Sequence, residues 1–117
     1  APTTRVVRAD ERYTFHFEGS FIVYSLLSAG FPDRKLEPML VELHPMDRAL
    51  PADEFRSHPG EEFIYILEGA LRLWIGDAVY DLEPGDGAHF STTVKHRIEN
   101  IGGSPTRFLA VLTPPIF

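Results

Sequence analysis

Short apolar runs broken by proline and glycine leave this chain few ways to fold. Ten prolines and nine glycines are many for 117 residues, and most of them fall between the runs. No segment keeps a 3.6-residue apolar period over three turns, so the pattern speaks against helices. Strands are expected at 13–17, 21–27, 36–44, 61–67, 71–75, 79–82, 87–90, 94–99 and 106–112. The turns between them carry specific chemistry. Gly76-Asp77 fits a tight two-residue hairpin with glycine first. Pro84-Gly85 fits a type II turn, with proline setting φ and glycine accepting a positive one. Many short strands at regular spacing predict an all-β sandwich or small barrel.

The length predicts one domain over residues 1–117. Residues 1–12 carry Arg5, Arg8, Asp10, Glu11 and Arg12 around Val6-Val7, which reads as an edge strand, a charged arm or the end of a linker. Residues 46–55 read as a surface loop. The runs 21–27 and 63–67 are apolar on both faces. One face can fill a barrel, and the other needs a second sheet or a partner, which predicts a homodimer. A net charge of −6 argues against nucleic-acid binding by this chain itself, because that usually takes a basic face. Without cysteine neither disulfides nor thiolate metal sites can form, a composition compatible with a cytoplasmic location. No apolar run approaches the roughly 20 residues of a membrane helix.

Chemistry concentrates in the stretch 56–69, R-S-H-P-G-E-E-F-I-Y-I-L-E-G. On a straight strand His58 and Glu62 would stand roughly 13 Å apart. A bend at Pro59-Gly60 brings imidazole and carboxylate back towards one point. With His96 they make two histidines and one carboxylate, a set suited to a divalent transition metal with open positions. Zinc, iron(II), nickel, manganese and copper are all admissible to such donors. The competing reading is a hydrogen-bonded polar cluster with no metal. Arg56 alternates onto the face of His58, where a guanidinium would supply positive charge, pair with Glu62 or grip a ligand carboxylate at two points. Glu61 should face the opposite way from Glu62. His44 ends a strand that would line the barrel, and Tyr65 and Phe90 are candidate pocket walls. Arg56, His44, Tyr65 and Phe90 are therefore the expected ligand-binding residues.

The spacing of these residues resembles the cupin superfamily. Its first motif, G-x5-H-x-H-x3-E-x6-G, is matched at His58, Glu62 and Gly69, and its second, G-x5-P-x-G-x2-H-x3-N, at Gly85, His96 and Asn100. Arg56 stands where the first motif has its leading metal histidine. Leu50, Ser91 and Thr93 replace motif glycine, proline and glycine. The resemblance implies a double-stranded β-helix of jelly-roll topology, with a metal held by His58, Glu62 and His96. In the family pattern Asn100 supports its motif and does not bind metal. Over nearly the whole chain, H-P-G-E-E-F-I-Y-I-L-E-G, Y-D-L-E-P-G-D and the final T-P-P-I-F resemble the cupin sensor domain of XRE-type helix-turn-helix transcription regulators. That implies a small-molecule sensor whose DNA contacts come from a separate N-terminal domain, with no DNA-binding domain in this chain. A start at Ala1-Pro2 fits an excised C-terminal domain and equally a processed stand-alone cupin. The rival expectations are a metal-dependent dioxygenase or isomerase and a metal-free binding cupin.

Overall fold

The computed structural model describes residues 3–46 and 55–117. The expected loop over 46–55, with Leu50, falls almost wholly outside them. Among the described residues a 3-10 turn at Ala9–Glu11 precedes nine strands: β1 (Tyr13–Phe15), β2 (Ile22–Leu26), β3 (Glu37–Leu43), β4 (Glu61–Glu68), β5 (Leu71–Ile75), β6 (Ala78–Leu82), β7 (Gly87–Ser91), β8 (His96–Asn100) and β9 (Thr106–Thr113). They form a six-stranded sheet in the order β1-β2-β3-β9-β4-β7 and a three-stranded sheet in the order β6-β5-β8. Every pairing is antiparallel. The fold is all-β, a jelly-roll sandwich.

Alternation decides which side chains fill it. Met39, Val41 and Leu43 on β3, Ile64 and Ile66 on β4, Leu71 and Leu73 on β5, and Phe108, Ala110 and Leu112 on β9 are all buried. Each set is spaced by two, as one face of a strand requires. The central pair β3–β9 runs in register from Glu37↔Leu112 to Leu43↔Thr106, so the inward residues of the two strands meet in one layer. Fully burying such side chains stabilises by about 1.5–3 kcal/mol each.

The turns follow their local chemistry. Gly76 takes φ 55° between the paired ends Ile75 and Ala78. Gly85 takes φ 93°, and the Asp86 amide donates to the Glu83 carbonyl at 2.9 Å, which closes the type II turn. Four expected strands are shorter than the pattern, β2 and β3 by one residue at each end. β1 stops at Phe15, and β8 starts at His96 because the Val94 amide turns back to the Ser91 carbonyl. Phe117 is tied to the fold by its backbone and its ring. Buried Glu37 accepts the Phe117 amide at 2.9 Å and pairs with Arg34. The Phe117 ring meets Phe15 and Tyr24 at 5.1 and 5.2 Å.

Candidate metal centre

The site is built where the segment before β4 is laid along β8. Arg56 and His96 form an antiparallel bridge, with amides exchanged in both directions at 2.8 and 2.9 Å. The His58 amide then donates to the Thr92 carbonyl and the Thr92 amide to the Gly60 carbonyl. This backbone stitching brings residues 38 positions apart in sequence, His58 and His96, to a ring separation of 5.5 Å. Gly60 makes the bend possible. Its φ is 116°, and a Cβ there would lie 1.9 Å from the Thr113 carbonyl oxygen. Only glycine tolerates both the conformation and the close approach.

Past the bend, Glu62 opposes Phe90 on β7 and Leu112 on β9. Its position on β4 is that of Ile64 and Ile66, so it is carried on the inner face. One ligand atom each from His58, Glu62 and His96 comes within 4.8 Å of the others. The three line a cavity of ≈640 Å³ together with Arg56 and Phe90.

The donor set fits a divalent cation. His96 Nδ1 lies 2.8 Å from the Val94 carbonyl. A carbonyl only accepts, so the proton sits on Nδ1 and Nε2 keeps its lone pair for a metal, the second-sphere arrangement typical of ligating histidines. His58 Nδ1 makes a longer approach, 3.4 Å, to the Pro59 carbonyl. Burial pushes the Glu62 carboxyl up to about 7. Burial also lowers the His96 pKa, assisted by His58 and opposed by the Val94 contact. Both shifts disfavour charge, and a bound cation would reverse the penalty on the carboxylate.

Of the other expected ligand-binding residues, Arg56 and Phe90 line the cavity, and the Phe90 ring lies 5.3 Å from that of His96. Tyr65 and His44 do not, which corrects their expected placement. Tyr65 is on the outer face of β4 and 39% exposed, because odd positions of that strand point away from Glu62. His44 follows the last inward residue of β3, Leu43, and its ring is near Glu42 at 3.8 Å. Asn100 supports the structure as the motif implies. Its amide donates to the Leu43 and Ser104 carbonyls and its oxygen accepts from Gly102.

Tyr24 also lines the cavity. Burial raises its hydroxyl pKa, the Glu62 charge raises it further and Arg56 lowers it. The three groups thus act on one another across the cavity. Pairing of β2 with β3 puts Tyr24 beside Val41, a long-range register that local pattern does not carry.

Comparison with known proteins agrees with this fold. Uncharacterized protein MJ1618 of Methanocaldococcus jannaschii is 32% identical over 60 residues, covering 51% of this chain and 48% of that protein. An iron(II) form of HppE superposes with TM-score 0.79 at 25% identity, over 94% of this chain and 60% of HppE. A cupin-superfamily sugar phosphate isomerase from Silicibacter pomeroyi superposes with TM-score 0.71 at 21% identity, over 95% and 76% of the two chains. The chain therefore spans about half of the archaeal relative and three-fifths of HppE. Among the described residues no helix is long and apolar enough to cross a membrane. The family model for the cupin domain matches residues 39–112, a span that takes in both motifs and all three metal-competent side chains, and the chain belongs to the cupin family.

Proposed function

We propose that this cupin is the ligand-sensing part of a transcription regulator. A small molecule enters the barrel beside a divalent metal held by His58, Glu62 and His96. DNA is contacted through a separate domain N-terminal to this one, and residues 1–12 form the arm between them.

One observation carries the sensor reading. A continuous group of rings runs from the cavity wall to the N-terminal strand. Phe17 and Tyr24 line the cavity. Phe15 stacks on Tyr24 at 5.4 Å, meets Phe17 at 5.8 Å and meets Tyr13 at 5.3 Å. Occupancy of the cavity therefore bears on β1, the element next to the arm. A ligand shifts such an equilibrium only by the difference in its affinity for two states, and this ring group is where two packings would differ. The acidic net charge of −6 supports leaving DNA to another domain.

The outer face of β4 supports a homodimer. Phe63, Tyr65 and Leu67 are 39–48% exposed in one row, with the pairs Glu61–His89 and Glu68–Arg107 at the two ends. A second copy related by a two-fold axis would cover the apolar row and bring acid against base at both ends.

The likeness to iron(II) HppE favours a second reading, a metal-dependent enzyme of dioxygenase or isomerase type. A bound metal of this kind would act as a Lewis acid and offer open positions to substrate. The chain's own residues would orient that substrate from Arg56 and Tyr24 and keep water away with the apolar walls.

Hydrogen exchange of metal-free and zinc-loaded protein tests the sensor reading. Slower exchange of amides 13–26 on loading is expected, beyond any change at 56–62 and 90–96. Exchange that changes only at the ligand segments would sink it.

A further inference from the structure

One inward position of β3 carries a carboxylate where its row is otherwise apolar. Glu37 precedes Met39, Val41 and Leu43 on the same face and is itself 1% exposed. A buried carboxylate is costly unless bonded, and this one holds residue 117. Its Oε1 accepts the Phe117 amide at 2.9 Å, and its Oε2 accepts from Arg34. Arg34 also donates to the Phe117 carbonyl. One ion pair thus takes both backbone groups of Phe117. Thr113 anchors the other end of the segment, its carbonyl lying so close to the Gly60 bend that a Cβ has no room there. Pro114 and Pro115 stiffen the span between the anchors, because their rings lock φ. The span borders the cavity. Ile116 and Phe17 line it, yet they are 50% and 57% exposed, whereas Val41, Ile64 and Phe108 in the same lining are 1–2% exposed. Ile116 and Phe17 therefore sit at the rim. The next side chain backs that rim, the Phe117 ring lying 6.3 Å from Phe17 and 5.2 Å from Tyr24.

We propose that residues 114–117 are a strap at the cavity mouth, latched by Arg34 and Glu37, and that release of Phe117 opens the cavity. Release breaks the two backbone hydrogen bonds and the ring contacts to Phe15, Phe17 and Tyr24. It leaves the sheets intact, since β9 ends at Thr113, so opening is a local event. Glu37 keeps Arg34 as its partner throughout. The buried charge therefore stays compensated in the open state, and only bonds to neutral backbone groups are lost. An apolar residue at position 37 would fill the core equally well and hold nothing. Swinging on Thr113, the strap carries Ile116 away from the rim. The inference concerns access to the cavity, goes beyond the sensor reading and holds with or without a metal.

The chain has no cysteine, so a single one introduced into the cavity wall reports access to it. Met39→Cys places that reporter in the buried lining, and Val41→Cys replaces it if the first does not fold. Leu73→Cys, also buried but outside the lining, is the control. Iodoacetamide labelling of the cavity reporter should accelerate by about tenfold when Phe117→Ala or Glu37→Leu is added. Glu37→Gln, which keeps an acceptor for the amide and loses the ion pair, should give about threefold. Labelling of the control should change by less than about twofold, because the core stays closed. Equal acceleration at both sites would mean general loosening and would overturn the proposal. So would an unchanged rate at the cavity reporter in Phe117→Ala, which leaves the core untouched and decides the matter even if Glu37→Leu does not fold. Labelling of the cavity reporter as fast as a free thiol with the strap intact would overturn it too, since the mouth would already be open. Zinc takes no part in the measurement, so failure of the metal reading leaves this test standing.

Discussion

Glu61 and Glu62 are neighbours on one strand, and the sheet makes them different groups. Glu61 points out from β4, more than half exposed, 3.2 Å from His89. An exposed pair of this kind contributes about 0–1 kcal/mol. Glu62 points in, and burial pushes its carboxyl up to about 7. The same contrast runs along the strand. Ile64 and Ile66 are essentially inaccessible, whereas Phe63, Tyr65 and Leu67 are 39–48% exposed. One face of β4 belongs to a cavity and the other to the surface. A side chain's chemistry on this strand is therefore set by the parity of its position as much as by its type.

The largest effect that would break the comparison is on metal binding. His96→Ala and Glu62→Gln should each lower zinc affinity by at least about 100-fold, since even outer-sphere partners cost 10–100-fold. Glu61→Gln should leave it within about twofold. Titration calorimetry decides the matter, and equal losses at Glu61 and Glu62 would erase the difference between the faces.

Next in size is a pH-dependent cost in metal-free protein. The folded Glu62 carboxyl is raised from 4.5 to about 7, so the folded state holds that proton more tightly than the unfolded chain does. Below pH 4.5 the group costs nothing. Stability is lost as pH rises from 4.5 to 7, and above 7 the whole cost of about 3 kcal/mol is present. His96 works in the opposite sense, because its folded pKa is depressed and its contribution is lost as pH falls. The informative quantity is therefore the difference between wild type and Glu62→Gln in urea unfolding at pH 5 and pH 8. The variant should be the more stable at pH 8 by up to about 3 kcal/mol, with a smaller gap at pH 5. Saturating zinc should reverse the order. A gap that does not change with pH would mean that Glu62 is not buried as a carboxylate.

The smallest expected effect sharpens the outer side. Tyr65→Glu should weaken self-association by about tenfold in light scattering, the penalty of a charge placed in an apolar contact, while zinc affinity stays unchanged. Intact dimers in this variant would remove the outer row of β4 as the contact.

Much of this was legible in the residues because the signals were local. Gly76-Asp77 and Pro84-Gly85 constrain two or three consecutive φ values, and the turns formed there as expected. The alternation in 61–67 predicted opposite faces for Glu61 and Glu62, and the spacing of His58, Glu62 and His96 matched cupin motifs. The same alternation puts Tyr65 with Glu61 on the outer face, although its ring suits a pocket wall. His44 was placed in the barrel by its neighbours, yet β3 directs Leu43 inward and leaves the next residue outside.

An all-β chain, most strand positions and the turn geometry follow from the period-2 pattern or from the conformational freedom of single residues, which a short window contains. The three residues competent to hold a metal follow from their match to the two cupin motifs. Tertiary structure alone decided that His58 and His96 face each other across a backbone bridge, that Gly60 has no room for a side chain beside Thr113, and that Tyr24 joins Arg56 and Glu62 at one end of the cavity. These depend on register between strands distant in the chain. Register comes from the whole set of inward side chains packing at once, so no local window records it.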